Sequence, residues 1–387
     1  MSLLRAGQLL MIAGDSITEQ RQFGRIIESY LAACHPHLNA EVRQSGWSGE
    51  STAAFLPRAE ADLLSFRPGF VISAYGMNDF GYDRFSPALA EEYWSSSHEL
   101  ARRIKASGAG QLLASPGCIS LVPAWCERQD ISVAELNASL AQIRDLGRAL
   151  AESEGLAFSD CFQAMSDAES KARASYGPGF HIAGDDGVHP GWAGHMVMAT
   201  AMLGALGLES DLGAFEMQAG SGAARTRGEG QRLLASGEGW MRIRSWRYPY
   251  CVGPGELSKN SSQAAGAALC GFHRRLNRLS FRLGGAGRGP WQLSWGAESM
   301  VVGGELLERG INLAELFAAK NPFSIAFGKL DAAVAAKQEF ETWQLHEVYH
   351  GAASGREASE ERRGELLRAV AESLRPLEHE IRIQKIS

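Results

Sequence analysis

Leu9-Leu10-Met11-Ile12-Ala13-Gly14-Asp15-Ser16-Ile17-Thr18 is the stretch on which the fold turns. Its apolar run, Leu9–Ala13, stops at a glycine and reads as a short buried strand. Shortly after it, Phe23–Ala33 sets Ile26, Ile27, Tyr30 and Leu31 on one helical face. Gly14-Asp15-Ser16 therefore falls on the turn from strand to helix. A serine there exposes its hydroxyl at the carboxyl edge of a sheet, where open α/β folds hold their ligands. The start of the next helix adds a positive dipole and free N–H groups, both of use to an oxyanion. Taken alone, the triplet is equally well explained by an N-cap serine or a plain turn.

The same alternation continues outward. Ala40–Gln44 reads as a strand that leads into the turn Ser45–Gly49, and Phe70–Tyr75 is a continuous run of buried-strand type. Ala88–Ser107 is helical, Gln111–Ser115 a strand, and Pro116–Ile131 a long loop. Val133–Ser153 is a strongly periodic helix, followed by a short strand at Leu156–Phe158 and later a helix at Trp192–Leu206. This rhythm predicts an α/β fold with a central parallel sheet covered by helices on both faces. After Leu208 the texture changes. Residues 210–237 are rich in Gly, Ala and Ser and read as a linker. Residues 238–310 carry strand-like pieces at Trp240–Trp246, Leu279–Leu283, Gln292–Trp295 and Met300–Val302, as in a small antiparallel unit. Residues 311–387 read as helical, most clearly at Asp331–Tyr349 and Ser359–Leu374. The 387 residues thus divide into 1–209 and an extension, 210–387.

Composition removes several functions. With 45% hydrophobic and 21% charged residues the chain is no disordered tract. The net charge of −6 comes without any block of like charge, so no nucleic-acid partner is expected. No apolar run reaches the roughly 18–20 residues that span a bilayer. The N-terminus passes directly into Gly14-Asp15-Ser16 with no room for a cleavage region. That predicts a cytoplasmic protein as the sequence is written, or a secreted or periplasmic one if an export signal has been removed. The six cysteines (34, 118, 126, 161, 251 and 270) form no C-x-x-C pair, so buried thiols are expected instead of a zinc ribbon or disulfide scaffold. A homo-oligomer stays open.

Three further blocks follow Gly14-Asp15-Ser16 in order: Ser48-Gly49-Glu50-Ser51 after the second strand, Gly76-Met77-Asn78-Asp79 after Phe70–Tyr75, and Asp186-Gly187-Val188-His189 before Pro190. With all four, the sequence resembles the SGNH (GDSL) hydrolase family of esterases and lipases. The later segments Asn277-Arg278-Leu279, Trp295-Gly296, Gly310–Ala314 and Asn321–Ser324 are similar to the tail of larger bacterial members with a C-terminal extension. The resemblance implies a flavodoxin-like three-layer α/β/α fold. It also implies an oxyanion hole built from the Ser16 N–H, the Gly49 N–H and the Asn78 side-chain amide. One departure is Gln44-Ser45, where relatives usually carry an asparagine before the second block; it questions the support of that loop. G-x-S-x-G occurs nowhere, which argues against an α/β-hydrolase elbow.

The chemistry of the residues agrees. A serine hydroxyl is a weak nucleophile at neutral pH and needs an adjacent base. His189 would take its proton and return it to the leaving alcohol. Asp186, three residues earlier, would bind the other imidazole nitrogen and fix the tautomer. His181 and His195 are rival bases, but only His189 has an aspartate at that offset; Asp185 is the rival for Asp186. Asn78 could instead only stabilise its turn.

A competing motif is His346-Glu347-Val348-Tyr349-His350, which on a helix would offer two zinc ligands and a glutamate base. Gly351–Gly355 breaks that helix at once, and the third ligand would have to be Glu365 or Glu372, so a surface or packing helix is the plainer reading. Trp240, Trp246, Tyr248, Tyr250, Trp291 and Trp295 are either the core of a small sheet or a platform for sugars. The expected function is therefore a serine esterase that works through an acyl-Ser16 intermediate without metal or cofactor. No long amphipathic lid is evident, which favours short acyl groups such as acetyl, on a small molecule or carbohydrate. The alternatives are a zinc metallohydrolase, or a non-catalytic glycan- or partner-binding protein on the same fold.

Overall fold

Along β1 (Leu9–Gly14) the side chains leave the sheet alternately, and both directions lead into a core. Leu10 and Ile12 enter the larger core, while Met11 and Ala13 enter a second one, and all four are fully buried. A strand buried on both faces needs a layer on each side. The structure, a computed structural model, describes residues 2–128 and 130–386. Met1, Gln129 (within the loop expected at Pro116–Ile131) and Ser387 lie outside the described residues.

Chain order through the first half runs β1, α1 (Ser16–Glu19), α2 (Gln22–Cys34), β2 (Glu41–Gly46), α3 (Thr52–Phe55), α4 (Ala59–Asp62) and β3 (Phe70–Ala74). It continues with α5 (Pro87–Ala106), β4 (Gly110–Ala114), α6 (Val133–Glu154), β5 (Ala157–Ser159), α7 (Cys161–Tyr176) and α8 (Trp192–Ala205). The strands form one parallel sheet in the order β2-β1-β3-β4-β5. On one face Ile12, Ile72 and Leu112 pack against Ile26 and Ile27 of α2 and Met196 and Val197 of α8. On the other, Met11 and Val71 meet Phe55, Ala59, Leu100 and Ile104. The three-layer α/β/α arrangement is thus present, and the predicted elements are displaced by only a residue or two at their ends. Helix α7 was not anticipated.

The second half corrects the expectation more heavily. Residues 210–237 are not a linker: they supply β6 (Asp211–Gln218), β7 (Ala224–Arg227) and β8 (Gln231–Gly237). Their small residues permit close pairing, and Leu212, Phe215 and Met217 anchor β6 in the core. There follow β9 (Trp240–Ser245), α9 (Gln263–Cys270), α10 (Phe272–Leu276), β10 (Arg278–Gly284), β11 (Pro290–Trp295) and β12 (Glu298–Gly303). The chain closes with α11 (Gly304–Arg309), β13 (Ile311–Asn312), α12 (Leu313–Leu316), α13 (Ser324–Trp343), a π-helical turn at Gln344–Tyr349, α14 (Arg356–Ser373) and β14 (Leu377–Lys385). The tail therefore does not stay helical. β14 is the middle strand of an antiparallel sheet, β12-β11-β14-β9-β8, in which His379, Ile381 and Ile383 face inward. The other sheet, β13-β10-β6-β7, is mixed, since β6 and β10 run parallel. Trp291, Trp295, Tyr248 and Tyr250 are buried, so these four are core and not a sugar platform; Trp246 is exposed. All six cysteines lie apart from any disulfide, and five of them are buried. Among the described residues no helix is long and apolar enough to cross a membrane.

The pair α13 and α14 folds back onto β2 and α2 and is held there by buried charge. Lys337 is fully buried; its ammonium donates to Val42 O (2.7 Å) and Glu341 Oε1 (2.8 Å) and lies 3.2 Å from Glu28 Oε1. Arg363 extends the cluster to Glu341 (2.8 Å) and to Glu41 at the start of β2 (2.7 Å). Burial holds the Glu28 carboxyl above the usual carboxylate range, partly opposed by Lys337. Removing one partner of such a cluster strands the other charges without water. Lys337→Ala is expected to lower the unfolding free energy by about 3–5 kcal/mol, read from urea denaturation. A loss below about 1 kcal/mol would mean that the cluster relaxes or is reached by water.

Candidate active site

Ser16 opens α1 immediately after β1, and this close fit requires glycine at position 14. A Cβ on Gly14 would stand 2.1 Å from Thr18 Oγ1 and 2.5 Å from Ala74 O. Asp15 caps the helix, its Oδ1 accepting from the Ile17 N–H at 3.0 Å. At the first helical position the Ser16 N–H has no carbonyl within the helix to bind. Burial, reinforced by the nearby Asp79 and opposed by the Ile17 N–H, pushes the Asp15 carboxyl from 3.8 up to about 7.

The fourth block meets this serine. His189 Nε2 lies 2.8 Å from Ser16 Oγ, and His189 Nδ1 lies 2.7 Å from Asp186 Oδ2. A carboxylate can only accept, so Nδ1–H donates to Asp186 and Nε2 is left to accept the Ser16 hydroxyl. Asp186 Oδ1 takes the N–H groups of Val188 (2.9 Å) and His189 (2.8 Å). Partial burial works against ionisation, but these N–H groups and the imidazole hold the Asp186 carboxyl below its ordinary value. The rivals are engaged elsewhere. Asp185 accepts from Asn260 Nδ2 at 2.9 Å, and His181 Nδ1 lies 3.2 Å from Arg173. His195 is fully buried, donates to Gln20 Oε1 at 2.8 Å, and is pushed by burial to a pKa of about 3.

The other two blocks sit at the ends of β2 and β3, on either side of β1, and are tied to it and to each other. Trp47 N–H donates to Gly14 O at 3.0 Å. Ser48 donates through both its N–H and its hydroxyl to Glu19 Oε2. Gly49 is exposed at φ +75°, a left-handed conformation that glycine adopts without strain. Asn78 Nδ2 donates to Glu50 O at 3.1 Å, which uses one of its two hydrogens and orients the amide. Asp79 accepts from Thr52 N (2.9 Å) and Gly76 N (2.9 Å), joining the second and third blocks. Gln44, part of the departure from the family pattern, donates to Thr342 Oγ1 at 2.5 Å.

His346 and His350 do not face one another as a ligand pair. His346 lies on the π-helical turn and His350 directly follows it, with His346 Nε2 3.1 Å from Glu19 Oε1 and His350 Nε2 2.8 Å from Asp62. Glu347 is exposed, and Glu365 is paired with Arg362. Among the described residues no group of three or more His, Cys, Asp or Glu side chains is arranged to hold a metal ion. Two residues escaped the sequence reading. Trp125, 47% exposed, sets its ring 5.7 Å from that of His189, and Tyr82 holds it edge-on at 6.1 Å from a left-handed backbone conformation. Both belong to loops with no periodic signal.

Residues 12–197 match the family model of the GDSL-like Lipase/Acylhydrolase family. An acetylxylan esterase of Geobacillus stearothermophilus is 25% identical over 220 residues, which are 53% of this chain and 96% of that protein. A gut microbial diltiazem-metabolizing enzyme of known structure aligns over 100% of this chain and 99% of its own, with TM-score 0.79 and 20% identity. That likeness shows a common fold that includes the C-terminal half. The solved acetylxylan esterase of Geobacillus stearothermophilus aligns over 54% of this chain and 98% of its own, at 23% identity and TM-score 0.45.

Asp15 gives the site a pH signature. Its folded-state value lies above the unfolded one, so between about pH 4 and pH 7 the folded chain keeps a proton that the unfolded chain has lost. Stability from this group is therefore present at low pH and lost as pH rises toward 7. Asp15→Asn keeps the cap and removes the titration, so its urea midpoint should match that of the wild type near pH 4 and exceed it near pH 8. A difference that is constant across this range would show that Asp15 does not titrate there.

Proposed function

Because the chain belongs to the SGNH (GDSL) hydrolase family and is a carboxylic ester hydrolase, we propose that Ser16 is its nucleophile, His189 its base and Asp186 the orienting carboxylate. Residues 1–209 are the catalytic unit in this reading, and residues 210–387 the extension. The observation that carries it is the Asp186–His189–Ser16 relay at 2.7 and 2.8 Å.

The Ser16 hydroxyl attacks the ester carbonyl as its proton passes to His189 Nε2, and Asp186 stabilises the imidazolium that results. The carbonyl oxygen becomes an oxyanion received by the Ser16 N–H, the Gly49 N–H and the second hydrogen of Asn78 Nδ2. Each such donor is worth about 2.7–4 kcal/mol in the transition state. Collapse releases the alcohol with the proton from His189. Water, deprotonated by the same nitrogen, then frees the acid and restores Ser16. No step calls on a metal or a cofactor.

For the substrate, an acetyl ester of a carbohydrate fits best. The related acetylxylan esterase supports the acyl group and the sugar. Trp125 supports the sugar independently: a half-exposed indole beside His189 offers a flat apolar face to the alcohol part of an ester.

Hydrolysis of p-nitrophenyl acetate tests the nucleophile. Ser16→Ala should reduce kcat on the order of 10⁴-fold or more, and a chelator should leave the wild-type rate unchanged. Activity that survives Ser16→Ala but is lost on chelation would transfer the chemistry to a metal centre.

A further inference from the structure

The His346–His350 motif has no role in the relay, yet it touches the loop that carries an oxyanion donor. Trp47, directly before Ser48 and Gly49, is enclosed on three sides. The His346 ring stacks on its face at 4.0 Å and 24°, and the Arg58 guanidinium lies 4.3 Å from its ring centre. His350 meets it edge-on at 5.4 Å and 86°. Each of these partners is itself anchored. Arg58 forks onto Glu50 through Nε (3.0 Å) and NH2 (2.7 Å) and also reaches Asp62, and Asp62 in turn binds His350. Glu19 holds Ser48 through Oε2, and its Oε1 lies 3.1 Å from His346 Nε2, off the hydrogen-bond direction. Glu50 O is the group that orients the Asn78 amide.

We infer that the π-helical turn from the C-terminal half is a positioning element for ester hydrolysis: the His346 ring, stacked on Trp47, holds the Trp47–Gly49 loop so that the Gly49 N–H stays aimed at the oxyanion. The loop needs such a hold. Ser48 and Gly49 are exposed, Gly49 has open space around its α-carbon, and a flexible glycine left free would sample many orientations of its N–H. A donor helps only if its direction is set before the reaction begins. The turn is also irregular where it does this. A π-helical stretch displaces side chains from the register of the preceding α13, and this one brings both histidines onto Trp47. His346 touches no reacting atom; it acts through Trp47. The catalytic half would thus carry the relay, and the extension would set part of the transition-state geometry.

This inference rests on the reading of Ser16 as nucleophile and Gly49 as donor, and the test separates the two. Two variants fill the space of the imidazole: His346→Phe keeps an aromatic ring on Trp47, and His346→Leu does not. In p-nitrophenyl acetate hydrolysis, His346→Leu should lose about 10- to 100-fold in kcat with KM within about twofold, less than the outright loss of a donor. His346→Phe should stay within about threefold of the wild type. Inhibition by phenylboronic acid, whose tetrahedral serine adduct places an oxygen at the oxyanion position, should weaken with the same order and by similar factors. The inference is overturned if Leu and Phe both behave as wild type, or if they lose equally, since either result takes the ring stack out of the reaction. Loss of activity with unchanged boronate affinity overturns it as well. Ser16→Ala, run in parallel, reports on the underlying reading: a dead Ser16→Ala beside a fully active His346→Leu sinks only the positioning role, whereas an active Ser16→Ala sinks both.

Discussion

The first turn of helix after β1 lies directly against the ends of three strands, and the site depends on that approach. Gly14 admits Thr18 and the carbonyl of Ala74, and Gly46 admits the backbone of Glu19, whose nitrogen would be 2.3 Å from a Cβ. The contact distances leave room for hydrogen alone at both positions. With α1 seated this deeply, Ser16 stands at the carboxyl edge of the sheet, within 2.8 Å of His189, and Glu19 is carried far enough across β2 to bind Ser48. A larger residue at either glycine would lift the turn and with it Ser16, the cap Asp15 and the hold on the second block together. The cost of this arrangement is a carboxyl buried beside another carboxyl, and the raised pKa of Asp15 records it.

The same edge of the sheet is where the C-terminal half arrives. β2 is an edge strand, and α13 and α14 cover it with ion pairs in place of a further strand. Arg43 on β2 reaches Glu360 at 2.8 Å and Gln344 at 2.9 Å, and Lys337 reaches the Val42 carbonyl. Buried charges of this kind add little net stability but tolerate few alternative arrangements. They bring the turn after α13 to the loop that follows β2. The larger core also passes from the sheet into the extension through Phe215, Tyr248 and Trp295 without a break. The second half of the chain is therefore bonded into the first at the core, at the strand edge and beside the site.

Much of the first half was legible in the sequence because its signals are local. Leu9–Ala13 is an unbroken apolar run, Phe70–Tyr75 is interrupted only by Ser73, and each is followed by a block whose chemistry is carried by neighbouring residues. The offset from Asp186 to His189 likewise identifies the pair that the structure joins, while Asp185 is drawn off by Asn260, a partner 75 positions away. The second half was read poorly because its signals are relational. β6 lies in a stretch rich in Gly, Ala and Ser, where Leu212, Phe215 and Met217 show no regular alternation, and it is a strand through its pairing with β10 and β7. Leu377–Lys385 alternates buried and charged residues, but the charge density disguises a central strand as a helical tail. The histidines of the C-terminal motif resemble metal ligands when read alone, and only the fold shows that their neighbours are Trp47, Glu19 and Asp62. Trp125 carries no local pattern at all.

The proposed mechanism requires that Ser16 become covalently acylated. Its most direct test is labelling of the intact chain with a fluorophosphonate, followed by peptide mass mapping while esterase activity is monitored. One label per chain is expected, on the peptide that contains Ser16, with activity lost in proportion and with protection by an ester substrate. Esterase activity that persists after saturating exposure, or inactivation with the label on a different residue, would contradict the account.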